Sequence, residues 1–110
     1  LISTGFSENR GKLLENIVAI EMFRRKKECF YYKGRRECDF IIKEGTKPTM
    51  AIQVCWELTP RNELRELRGL GEAMRTLAIE QGLILTHDEE KELSFEGALI
   101  RVMPVWKWLL

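Results

Sequence analysis

Two short apolar runs, Cys38-Asp-Phe-Ile-Ile42 and Met50-Ala-Ile-Gln-Val-Cys55, flank a stretch of turn formers, Glu44-Gly-Thr-Lys-Pro48. Nothing else in the chain restricts its fold as tightly. A hairpin whose loop centres on Thr46 sets Ile41 against Ala51, Asp39 against Gln53 and Glu37 against Cys55, all on one face. Cross-strand neighbours have Cβ atoms about 4.5–5.5 Å apart. Asp39 and Gln53 are therefore a candidate metal-binding pair, a carboxylate and an amide oxygen converging where a hard cation could sit.

Around this hairpin the remaining elements follow from pattern. Ser7 is read as N-cap of a helix running to about Lys27, with residues 1–7 as a lead-in. Leu13, Leu14, Ile17, Val18, Ile20, Met22 and Phe23 cover most of that helix, so it is expected to be buried on more than one side. Strands are expected at Glu28 to Tyr32, Arg36 to Lys43 and Thr49 to Trp56, an antiparallel meander punctuated by glycine and proline. Thr59-Pro60 opens a second helix that Gly82 stops, with Gly69 and Gly71 allowing close approach to the sheet. Leu83 to Thr86 reads as a strand buried on both faces, and Ala98 to Met103 repeats the pattern after a polar loop. Val105 to Leu110 reads as a short amphipathic cap. The expected order is α-β-β-β-α-β-β.

At 110 residues the chain is one domain, 45% hydrophobic and 32% charged. No run approaches the roughly 18 apolar residues of a membrane helix and no signal-peptide pattern opens it, so a cytoplasmic setting without membrane contact is expected. A net charge of +1 gives no bulk case for nucleic acid. Cys29, Cys38 and Cys55 lack C-x-x-C spacing and are read as reduced core residues. With His87 as the single histidine, a histidine-based metal centre or triad is not expected. The first residue is leucine, from which upstream sequence is expected.

On the helical wheel Glu15 falls between Met22 and Ala19. It is either a buried acid that needs a metal, a base or hydrogen bonds, or a solvated residue at the helix edge. Glu21 is similarly flanked. A helix glutamate, a strand aspartate and a Glu/Gln-x-Lys triplet on the next strand resembles the PD-(D/E)XK nuclease superfamily. That resemblance implies a restriction-endonuclease-like αβββαβ core, an α/β fold with a mixed central sheet flanked by helices. It also implies Glu15 as the helix acid, Asp39 as the principal ligand of Mg²⁺ or Mn²⁺, Gln53 as the second ligand, and Cys55 in the lysine position. More local text points the same way: Gly11-Lys-Leu-Leu-Glu-Asn-Ile-Val18, Tyr31-Tyr32 ahead of Glu37-Cys-Asp-Phe40, Ile52-Gln-Val-Cys-Trp-Glu-Leu58, Arg65-Glu66, and Pro104-Val-Trp-Lys-Trp-Leu-Leu110. Together these resemble the nuclease-like C-terminal domain of unknown function in AAA-type ATPases. The resemblance implies an ATPase domain upstream in the same chain, through which alone ATP would bind, since no phosphate-binding G-x-x-x-x-G-K-[ST] loop is present here.

Cys55 is the main departure, because a thiol titrating near about 8.5 cannot supply lysine's fixed charge. Loss of one such stabiliser costs about 10²–10³ in rate. Lys12 and Arg65 are candidate replacements, Lys12 being equally a surface residue, and Glu37 either substitutes for Gln53 as ligand or pairs with Arg35. Arg24, Arg25, Lys26 and Lys27 either track phosphates or complement the helix dipole. The arginines and glutamates of the second helix read as a salt-bridged exposed face, and Trp106 and Trp108 as core anchors. Three functions follow: an accessory domain binding nucleic acid or a partner protein through a degenerate site, an active metal-dependent nuclease with a relocated basic residue, or a homo-oligomerisation module.

Overall fold

The structure, a computed structural model, describes residues 2–110, with side chains described from Glu8 onward. The elements are α1 (Ile2–Arg24), β1 (Glu28–Lys33), β2 (Glu37–Glu44), β3 (Lys47–Val54), α2 (Glu63–Leu77), β4 (Gln81–Thr86), β5 (Lys91–Phe95), β6 (Ala98–Pro104) and α3 (Val105–Trp108). Six strands form one mixed sheet in the order β1-β2-β3-β4-β6-β5. The first three make the antiparallel meander, and Ile41 lies opposite Ala51 as expected, although the register slips between Ile42 and Lys43 and Glu44 faces Lys47, so the turn is centred on Gly45-Thr46 and not on Thr46. β3, β4 and β6 run parallel, and β5 returns antiparallel along β6. This is a mixed α/β domain.

Side-chain alternation divides the core. Along β4, Ile84 joins the cluster under α2 with Leu70, Ala73 and Met74, whereas Leu83 and Leu85 join the cluster with Leu14, Val18 and Met22 of α1 and Val105 of α3. β4 is thus covered on both faces, as its continuous apolar run demands.

Several expectations are corrected. The first helix is already formed at Ile2, so Ser7 lies inside it, while Leu1 falls outside the described residues. It buries one face only: Leu13, Ile20 and Phe23 are exposed, Phe23 at 86%. Lys26 closes it in the left-handed conformation, with Lys27 N–H donating to the Met22 carbonyl and Lys26 N–H to Phe23. α2 ends the same way at Ala78, where Ile79 N–H reaches the Met74 carbonyl. Both ends are Schellman closures with a non-glycine residue in the glycine position. Gly82 instead sits inside β4, where an added Cβ would lie 2.6 Å from Met74 Sδ.

Thr59 does act as a cap, one turn ahead of the helix proper. Its Oγ1 accepts from the N–H groups of Arg61 and Asn62, while its own N–H donates to Asn62 Oδ1. The polar loop before Ala98 contains β5, an added edge strand, and β6 alternates buried and exposed residues. Cys38 and Cys55 are buried, but Cys29 is exposed, as is Trp106. The α2 arginines do not form a ladder on their own helix: Arg75 pairs with Glu96 of the β5–β6 turn, and Arg65 only with its neighbour Glu66.

Candidate functional site

Between Phe30 and Tyr32 the β1–β2 register slips, so that Asp39 and Phe40 of β2 together face Tyr31 of β1. Such a bulge bends its strand and re-aims the extra side chain. Here it lets Cys38 and Ile41, three residues apart, both enter the cluster under α2. It also marks where β2 leaves the regular ladder with β3, whose backbone pairing stops at Phe40 opposite Ile52.

Beyond that point side chains replace the ladder. The Asp39 N–H donates to Gln53 Oε1 at 3.0 Å, and the Val54 N–H donates to Asp39 Oδ2 at 2.8 Å. Gln53 Nε2 donates to the Glu37 carbonyl at 2.9 Å and to the Glu66 carbonyl of α2 at 3.2 Å. Cys38 Sγ reaches the Ile52 carbonyl at 3.4 Å. One glutamine thereby ties β2, β3 and α2 together, and the opening between the strands contains its amide. α2 must come very close for this. A Cβ on Gly69 would lie 2.1 Å from the Glu37 carbonyl oxygen and 2.6 Å from Gln53 Nε2, so only glycine fits.

The carboxylates near this clasp repel one another. Asp39 is pushed up to about 7, first by burial and then by Glu15, Glu66 and Glu37, against the opposing pull of its Val54 hydrogen bond. Burial also raises Glu66, although its ion pair with Arg65 counters this. The Tyr31 phenol, with the Glu37 carboxylate as hydrogen-bond partner, is raised to about 12. Burial raises the thiols too, Cys38 to about 12 and Cys55 further still. Cys55 is thus a neutral thiol in the core at ordinary pH.

Glu15, Glu37, Asp39 and Glu66 therefore interact electrostatically around one end of the β2–β3 junction, with Glu15 and Glu37 exposed. Glu15 is the solvated helix-edge acid of the two alternatives. The buried acid of α1 is Glu21, 8% exposed, held by Arg24 at 2.5 Å and Arg25 at 2.6 Å. Those guanidiniums outweigh burial and take Glu21 down to about 2. Arg25 additionally donates to the Trp108 carbonyl at 2.8 Å and lies 4.6 Å from the Trp108 ring centroid. Within the Arg24–Lys27 basic cluster, Arg24 and Arg25 are thus engaged by Glu21, and Arg25 alone joins α1 to α3. Lys12 is exposed and forms no ion pair among the described residues.

A divalent cation fits this donor set poorly. The Gln53 amide and one Asp39 oxygen already serve the backbone, and among the described residues no three His, Cys, Asp or Glu side chains converge to hold an ion. Beside the clasp, at the carboxyl ends of β3 and β4, the Trp56 and His87 rings stack 4.1 Å apart and nearly parallel, with the Arg10 guanidinium 4.8 Å from the Trp56 centroid. Sequence periodicity carries no signal for Tyr31 or Glu66 as members of the acid group, since each enters through the bulge or through the close approach at Gly69. No described helix is long and apolar enough to cross a membrane.

Comparison with known proteins identifies relatives without an assigned activity. The profile described as "Domain of unknown function (DUF4143)" matches residues 10–108. The uncharacterized protein MJ1544 of Methanocaldococcus jannaschii is 34% identical over 119 residues, an alignment covering 98% of this chain and 26% of that protein. This chain therefore spans about a quarter of its relative's length. No solved structure matches.

Proposed function

Since this chain belongs to the DUF4143 family of domains of unknown function, we propose that it is an accessory docking domain of a longer ATPase-type protein, built on a nuclease-like core that no longer cleaves phosphodiesters. The observation that carries this is the use of Gln53. Its oxygen and both donated hydrogen bonds serve the Asp39, Glu37 and Glu66 backbone. A residue so used is a structural clasp. The buried neutral thiol of Cys55, where the nuclease resemblance has a lysine, and the poor cation fit support the same reading.

Of the two partner classes a protein is favoured over nucleic acid. Arg24 and Arg25 are occupied by Glu21 and Trp108, and the Asp39 region is acidic, which repels phosphates. Exposed Leu13, Ile20 and Phe23 leave α1 with an apolar outer surface of the kind that marks protein contacts. The test is incubation of the full-length protein with labelled DNA and RNA, with and without Mn²⁺. No cleavage and no salt-sensitive gel shift are expected; Mn²⁺-dependent cleavage that disappears in Asp39→Asn would overturn the proposal.

A further inference from the structure

The sheet has two open edges, β1 and β5, and they differ in sign. From residue 24 to 36, around β1, seven basic residues accompany a single acid, Glu28. From residue 88 to 96, around β5, five acids accompany a single base, Lys91. A chain of net charge +1 is therefore strongly polar across the sheet. Among the described residues neither edge is covered: β1 is exposed at five of its six residues, with Phe30 at 37% and Tyr31 at 52%, and β5 is exposed at three of its five.

We propose that these edges pair with each other between copies, β1 of one molecule adding antiparallel to β5 of the next, so that the six-stranded sheets join into one continuous sheet. Strand direction permits this without turning either copy over. β1 runs with β3, β4 and β6, whereas β5 runs against them, so two copies in the same orientation bring antiparallel strands together. Facing agrees as well. Phe30 lies opposite Ile41, and Leu93 packs on the same cluster as Ile41, so both belong to the α2 side of the sheet.

Setting Phe30 against the next copy's Leu93 then places Cys29 against Ser94, Lys33 against Glu90 and Lys27 against Glu96. Open main-chain groups supply hydrogen bonds along the edge, and the charges fix the register. Glu90 and Glu96 already have partners in Lys107 and Arg75, but these are exposed pairs that exchange readily. Edge charges commonly guard against strand addition. Here they penalise β1 on β1 and β5 on β5 while favouring β1 on β5, which converts a guard into a choice of partner. Such head-to-tail contacts either close into a ring or continue as a filament. The pairing holds whether or not the domain has lost phosphodiester chemistry.

Disulfide capture in the full-length protein tests it. With Ser94→Cys and mild oxidation, the exposed native Cys29 of the next copy lies opposite the new thiol, Cβ atoms about 4.5–5.5 Å apart. A ladder of linked dimers and higher multimers is expected on non-reducing gels, absent when Cys29→Ser is added. Mixing the Cys29→Ser/Ser94→Cys double variant with the unaltered protein should give linked dimers and nothing larger. Lys27→Glu with Lys33→Glu should suppress the ladder, and Glu90→Lys with Glu96→Lys in the same chain should restore it. Absence of any ladder, linkage that survives Cys29→Ser, or wild-type linkage through Cys29 that stops at dimers would overturn the proposal.

Discussion

Two acids, Glu21 of α1 buried and Asp39 of β2 half-buried, have surroundings opposite in sign. Glu21 faces two arginines and is held down to about 2; Asp39, raised first by burial and then by three other carboxylates, is pushed up to about 7. The Glu21 region is an ordinary charge clamp. Around Asp39 the structure instead relies on backbone hydrogen bonds and very close packing, so that region should be the less tolerant of change. The largest expected effect is there. Gly69→Ala drives a methyl into the Glu37 carbonyl and the Gln53 amide, neither of which can yield without breaking the clasp. A loss of about 3 kcal/mol, at the upper end of overpacking costs, is expected in urea denaturation. A loss below about 0.5 kcal/mol, typical of a neutral surface change, would show that the clasp is loose.

Gln53→Leu keeps the approximate volume but removes the Gln53 partner of the Asp39 N–H and the Glu37 carbonyl, and a second hydrogen bond from the Glu66 carbonyl, which keeps its place in the α2 ladder. About 2–3 kcal/mol should be lost, since buried backbone groups left unpaired cost more than the bonds themselves contribute. Gln53→Glu sharpens the point: it restores a nuclease-like carboxylate but cannot donate to two carbonyls, and it adds a fifth negative charge. If Gln53→Glu proved as stable as wild type and bound Mn²⁺ in calorimetry, the glutamine would be a ligand position after all.

How much of this was legible in the sequence depends on what the sequence encodes locally. The β2–β3 register was legible over Phe40 to Ile42 against Met50 to Ile52, where alternate apolar residues fix the count; the slip between Ile42 and Lys43 and the loss of pairing beyond Phe40, which takes the expected oppositions of Asp39 to Gln53 and Glu37 to Cys55 out of the ladder, were not. The bulge at Asp39 and Phe40 was not, since an extra residue leaves no mark in composition. β5 carries Lys91, Glu92 and Ser94 because one edge of it meets water, and therefore looks like a loop. Lys26 and Ala78 close their helices in a conformation usually marked by glycine, so both ends were obscured. Glu15 and Glu21 are both flanked by apolar residues on a wheel that is apolar nearly all round. Which arc turns inward is decided by the sheet and by Arg25 reaching Trp108, both far away in sequence.

The pH response separates the two acids. Folded Asp39 keeps its proton to about pH 7, whereas the unfolded chain releases it near about pH 4, so the folded state binds more protons within that window. Stability should therefore fall as pH rises from about 4 to 7, the reverse of the usual carboxylate trend. Asp39→Asn preserves an acceptor for the Val54 N–H and removes the charge. It should be nearly neutral below about pH 4 and stabilising by about 2 kcal/mol at pH 8, a figure reduced for the partial solvent access of the site. A pH-independent difference between the two proteins would mean that Asp39 is not the titrating group.

The smallest effect belongs to the Glu21 clamp. Arg25→Ala removes the hydrogen bond to the Trp108 carbonyl, the contact with its ring and one of the two cations on Glu21, leaving Arg24 in place. Because Glu21 keeps a partner and Arg25 is partly in water, the cost should be about 1 kcal/mol, mostly from the ring contact and the charged hydrogen bond. Tryptophan emission should shift to the red as α3 loosens, with Asp39 chemistry untouched. Glu21 adds stability above the unfolded carboxyl range, and that contribution is lost as pH falls from about 4 toward 2. Weakening its partner should move this acid limb upward in pH while leaving the fall between about pH 4 and 7 unchanged. If Arg25→Ala altered both limbs together, the two acids would be coupled through α1, and the contrast between a charge clamp and a backbone clasp would have to be abandoned.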